Sequence, residues 1–102
     1  GPYDFTGTCH NVDLQPDRKN VSAVYYVTVA TPCSRLVHRV KNASDSEAVL
    51  TISVNGEGGD VQHRFPRGRT IEIETPVPTG ARDLCVELSG TKGLVLLETR
   101  FE

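Results

Sequence analysis

The residues with the greatest chemical potential in this sequence are its three cysteines, Cys9, Cys33 and Cys85. Cys85 lies in the alternating stretch Leu84-Cys85-Val86-Glu87-Leu88, and side chains alternate across a strand, so it is predicted to share the solvated face with charged residues. Cys33 is predicted to face the charged side of its own strand in the same way. Because an odd number of cysteines cannot all pair within one chain, at least one thiol is free or bonded to another molecule.

Two arrangements of these thiols remain open. In the first, the chain has one internal disulfide and a spare thiol, or all three thiols are reduced. Alternatively, Cys9 bonds Cys33 or Cys85 of a neighbouring subunit, and such a head-to-tail contact builds a helical filament if it does not close into a ring. The predicted outward placement of the cysteines favours oxidised cross-links over cytosolic thiols.

The remaining candidates for catalysis or metal binding match no known arrangement. Cys9 and His10 are adjacent, so on an extended chain they point apart, and no third group orients them. His38 and His63 have no zinc-like spacing, and the loop at residues 55–60 departs from the calcium-binding EF-hand pattern. We therefore predict no enzyme activity, no metal and no cofactor.

The tyrosines and the charged residues suggest surfaces rather than reactions. Tyr3, Tyr25 and Tyr26 could line a sugar-binding face, although the absence of tryptophan weakens an aromatic platform. The basic residues alternate with glutamates, which predicts a mixed charged surface instead of a basic patch. Two glycosylation sequons begin at Asn20 and Asn42 and have meaning only in a eukaryotic secretory setting.

The composition excludes several classes of partner. The chain has 102 residues, 37% hydrophobic content and a net charge of -2, values typical of one globular domain. No basic excess attracts nucleic acid. The apolar runs are far shorter than the ~20 residues that cross a bilayer, so we expect no membrane partner.

The order of the elements predicts an N-terminal connector arm at residues 1–20 and a β-sandwich domain at residues 21–102. The arm shows no periodicity, and Gly1-Pro2 has the form of a protease-cleavage scar. No segment has sustained helical periodicity, and Asn55-Gly56 is a hairpin signal. Seven or eight short strands predict an all-β antiparallel sandwich, jelly-roll or immunoglobulin-like; they include residues 21–30, 33–41, 48–54, 61–65, 70–75, 84–88 and 94–101.

This arrangement resembles the bacterial endospore-appendage (Ena-type) pilin family. The resemblance rests on the arm bearing Cys9, on Asn42-Ala43-Ser44, on residues 65–70 and on the two closing strands. It implies a jelly-roll subunit of a spore-surface fibre in which Cys9 is the connector thiol and Cys33 and Cys85 are acceptors on preceding subunits. Family members often carry paired connector cysteines, whereas Cys9 stands alone here.

The resulting prediction is a structural subunit that assembles with copies of itself into an extracellular or spore-surface fibre. Contacts between strand edges and intersubunit disulfides from the arm would hold the fibre together. The alternative prediction is an extracellular binding module, for carbohydrate or protein, built on the same sandwich.

Overall fold

A computed structural model describes residues 20–102 of the chain, so residues 1–19 of the predicted arm, with Tyr3, Cys9 and His10 among them, lie outside the described residues. Within residues 20–102 there is no helix, and hence none long and apolar enough to cross a membrane. The seven strands are β1 (Asn20–Thr28), β2 (Arg35–Asn42), β3 (Ala48–Val54), β4 (His63–Phe65), β5 (Thr70–Pro76), β6 (Asp83–Thr91) and β7 (Leu94–Phe101).

The strands form two antiparallel sheets. One has four strands in the order β1-β6-β3-β4, and the other has three in the order β5-β2-β7. Apolar side chains from both sheets form one core cluster, as in a sandwich of two sheets packed face to face. The predicted all-β antiparallel sandwich is therefore confirmed.

Period-two alternation accounts for most of the core. Leu84, Val86 and Leu88 of β6 point inward and are at most 3% exposed, as predicted. The alternate residues of β3 are buried in the same way. Val37 is an exception to this alternation, because it is buried although its cross-strand partners Glu74 and Arg100 lie on the outer face. Long charged side chains of this kind cover apolar surface with their aliphatic stems.

Asn55-Gly56 forms a two-residue turn after β3, and the predicted pairing of β3 with the next strand is confirmed, with residues 55–62 between the two strands. Asn55 and Gly56 have φ angles of 51° and 83°, the left-handed values that an asparagine-glycine pair adopts in a type I′ turn. Val54 and Glu57 exchange both backbone hydrogen bonds across the turn, at 2.9 and 3.0 Å. The strand that follows is shorter than predicted, because only His63–Phe65 pairs with β3.

One buried polar residue connects the turn after β2 to the end of β4. Asn42 is fully buried, and its side-chain amide donates to the carbonyls of Ser46 (2.8 Å) and Phe65 (3.2 Å). Its side-chain oxygen accepts hydrogen bonds from the backbone N–H and hydroxyl of Ser44, at 2.9 and 2.6 Å. The Asn42 side chain of this sequon therefore has a structural role, because its amide nitrogen already donates two hydrogen bonds within the fold.

Candidate functional site

The outer surfaces of the two sheets differ in chemistry. The outer face of the four-stranded sheet carries one exposed aromatic ring among small polar and acidic side chains; we call it the Tyr26 face. By strand register and alternation it is formed by Ser22, Val24, Tyr26, Thr28, Asp83, Cys85, Glu87, Ser89, Thr91, Val49, Thr51, Ser53 and Arg64.

Tyr26 is the most exposed large side chain of this face. Its side chain is 75% exposed, and Val24, two residues earlier on β1, is 48% exposed. Tyr26 lies opposite Cys85 in the β1–β6 register, and a side-chain hydrogen bond with Cys85 raises the pKa of the Tyr26 phenol. The phenol therefore keeps its proton at neutral pH and can donate a hydrogen bond.

An open depression of about 340 Å³ lies beside this ring, where β1 ends and β6 begins. The hydroxyl of Thr28 donates to a carboxylate oxygen of Asp83 at 2.8 Å. Asn55 holds the start of β6 from both sides, because its amide donates to the Asp83 carbonyl at 3.1 Å and its oxygen accepts from the Cys85 N–H at 2.8 Å. The lining residues are Tyr26, Val27, Thr28, Asn55, Asp83, Leu84 and Cys85.

The arrangement offers a ring for stacking beside hydrogen-bonding groups in fixed positions. Asp83 and Glu87 add carboxylate acceptors to the face, whereas Arg64, on β4 at the opposite edge, is its single basic residue among those described. Arg64 lies 3.7 Å from Glu47. Such a face suits an uncharged ligand rich in hydroxyl groups better than an anionic one.

The outer face of the three-stranded sheet is occupied by ion pairs. Arg100 contacts Glu98 at 2.6 Å and both Glu72 and Glu102 at 3.1 Å, and Arg35 reaches Glu102 at 2.9 Å. The guanidinium of Arg100 lowers the pKa of the Glu72 and Glu102 carboxyls. This network confirms the predicted mixed charged surface.

The two described cysteines lie in different environments, and both are free thiols. Cys85 is half-buried on the Tyr26 face, whereas Cys33 packs against the core, and burial raises the pKa of its thiol. The prediction that Cys33 faces the charged side was wrong, because Cys33 lies in the connection before β2 begins at Arg35, where strand alternation does not apply. Their role in intersubunit disulfides stays a prediction, since Cys9 lies outside the described residues.

The histidines and the other tyrosines take positions apart from the Tyr26 face. His38 is fully buried, with its Nε2 2.7 Å from the Tyr25 hydroxyl and its Nδ1 without a partner. Burial lowers the pKa of His38 to about 4. Of the two tyrosines in residues 20–102, Tyr25 therefore packs inward and is partly buried, whereas Tyr26 is exposed. Across residues 20–102, no three His, Cys, Asp or Glu side chains are grouped so that they could hold a metal ion.

The sequence of the chain matches no protein-family model and no curated protein. Its fold, however, is similar to those of several solved structures. The CBM36-1 domain of a multidomain xylanase from the hindgut metagenome of Trinervitermes trinervoides is 13% identical with a TM-score of 0.59, covering 97% of this chain and 92% of that one. The carbohydrate-binding module CBM36 in complex with calcium and xylotriose is 9% identical with a TM-score of 0.60, covering 100% and 99%.

A third similar structure is the cycloalternan-forming enzyme from Listeria monocytogenes in complex with a pentasaccharide substrate. It is 18% identical with a TM-score of 0.58, and the match covers 97% of this chain but 11% of the enzyme. At these identities the likeness concerns the backbone arrangement. The chain therefore has a β-sandwich fold similar to that of the two CBM36 structures.

Proposed function

We propose that this chain is a non-catalytic carbohydrate-binding module whose glycan site is the Tyr26 face. This corresponds to the alternative predicted from the sequence. The observation that carries the proposal is the exposed ring of Tyr26 beside a depression with a fixed carboxylate and hydroxyl. The fold shared with two CBM36 modules supports it as well.

The physical argument rests on what a sugar presents to a protein. A pyranose ring has an apolar face of C–H groups that can cover an aromatic ring, and hydroxyl groups around its rim that need partners when they leave water. The exposed ring of Tyr26 supplies the aromatic surface that the apolar face of the sugar can cover. Asp83, held by Thr28, supplies an acceptor whose position does not have to be ordered on binding, which lowers the entropic cost of association.

The acidic character of the face favours neutral glycans over those that carry uronic acids. A carboxylated sugar would meet Asp83 and Glu87, and like charges placed together oppose binding. A polysaccharide-binding role also agrees with the extracellular or cell-surface location predicted from the sequence.

Replacement of Tyr26 tests the proposal. Tyr26→Ala is expected to weaken binding to a neutral polysaccharide by roughly tenfold, because it removes a stacking surface of about 50 Å² at ~25 cal/mol per Å². Affinity electrophoresis in gels containing xylan, β-1,4-galactan or α-glucan measures the change. Tyr26→Phe, which keeps the ring, should retain most of the affinity.

Val61→Ala is the matched control. Val61 is 51% exposed and lies between β3 and β4, so its replacement removes a surface apolar side chain outside the Tyr26 face. Its migration should equal that of the parent protein. Equal retardation of the parent and Tyr26→Ala in every polysaccharide, or no retardation of the parent in any, would contradict the proposed function.

A further inference from the structure

Three of the four sheet edges among the described residues carry features that discourage pairing with another strand. β4 has only three residues. β5 contains Glu72 and Glu74 and ends at Pro76, and β7 carries Glu98 and Arg100. Short length, charge and proline are the usual means by which an open edge is kept from pairing.

The edge formed by β1 has none of these features. β1 is nine residues long, and its sequence, NVSAVYYVT, contains no charged residue and no proline. All nine residues pair with β6 on one side, and within residues 20–102 no strand pairs with the other side. In an antiparallel ladder, alternate residues direct their N–H and C=O groups away from the paired strand. The side of β1 opposite β6 therefore presents a row of backbone N–H and C=O groups.

We propose that β1 pairs antiparallel with β1 of a second copy of this chain, around a twofold axis at Val24. Val24 is the middle residue of β1, so this register pairs all nine residues of both copies. Ser22 of one copy then lies opposite Tyr26 of the other, and Asn20 opposite Thr28. The result is a continuous eight-stranded sheet with a Tyr26 face in each half.

A second copy fits this edge because the strand is complementary to itself. No pair in the register places a charge opposite another charge, and the axis brings together two Val24 side chains that are each 48% exposed. Residues two apart share a face, so every outward side chain meets an outward one. Isologous pairing of this kind closes at two copies.

The oligomeric state of the full chain in reducing buffer tests the proposal. Light scattering after size exclusion should show a dimer fraction that rises between micromolar and millimolar concentration. Val24→Lys should raise the dissociation constant at least tenfold, because two ammonium groups would meet at the axis, while in each monomer the new side chain faces Glu87. Ser89→Lys, which adds the same charge on β6, is the matched control and should dimerise like the parent.

Amide hydrogen exchange gives a second readout that needs no variant. Protection of β1 amides should increase with protein concentration, while that of β5 amides should not. A parent chain that stays monomeric throughout would overturn the proposal. So would a dimer that Val24→Lys leaves intact, equal weakening by Ser89→Lys, or oligomers that form only without reductant, which would instead support the predicted disulfide-linked fibre.

Discussion

Asn42→Ala is expected to lower the free energy of unfolding by about 3 kcal/mol, because it removes the four hydrogen bonds of a fully buried side chain. The Phe65 carbonyl loses its side-chain donor and the Ser44 N–H loses its acceptor, while the Ser46 carbonyl and the Ser44 hydroxyl keep only the hydrogen bond between them. The side chain is fully buried, so its removal also leaves a cavity. Urea unfolding followed by circular dichroism measures the change.

Ser46→Ala is the control for this loss. Ser46 contributes its carbonyl to Asn42, whereas its exposed side chain makes no hydrogen bond described here, so the variant should lie within about 0.5 kcal/mol of the parent. A loss below 1 kcal/mol for Asn42→Ala would show that the turns around residues 42–46 and 66–69 hold without this side chain.

The stability of the fold is expected to fall by about 3 kcal/mol as the pH is lowered from 6.5 to about 4, because His38 is neutral in the folded state. Burial lowers its folded pKa to about 4 from an unfolded value of 6.5, so the unfolded chain takes up the proton first. The stabilisation is complete above pH 6.5 and is lost as the pH falls through this window. One pKa unit corresponds to about 1.4 kcal/mol.

Urea unfolding at pH 7, 5.5 and 4 measures this dependence. His38→Gln, which is neutral at every pH and can still face the Tyr25 hydroxyl, should remove most of it. The remaining slope would come from His63, whose pKa burial also lowers, and near pH 4 from Glu72 and Glu102. An unchanged slope in His38→Gln would assign the acid sensitivity to those groups instead.

The alternation of side chains and the turn residues carried most of the fold prediction. Leu84, Val86 and Leu88 alternate with polar residues, and this pattern alone gives their direction once a strand is assumed. Asn55-Gly56 likewise predicts its turn from the φ values it tolerates. These are local properties, so a single sequence contains them.

The order of the strands and the candidate site depend on contacts between distant residues. β1 pairs with β6, more than 50 residues away, and this pairing places Tyr26 beside Cys85 and Thr28 beside Asp83. No local pattern encodes such neighbours. The choice between Tyr25 and Tyr26 as the exposed ring likewise required the register. The sequence showed Asn42 only as part of a sequon, because its burial depends on contacts with Ser46 and with Phe65, which is 23 residues away.

Backbone amide shifts during titration with neutral oligosaccharides such as xylotriose and β-1,4-galactotriose test the central claim most directly. The account predicts that at least one such glycan shifts the amide signals of Tyr26, Asp83 and Cys85 and leaves those of the charged face at Glu72 and Arg100 in place. A second depression on the molecule is lined by Glu57, Pro76, Val77, Pro78 and Thr79. Shifts confined to that depression, or no shifts with any glycan, would contradict the account.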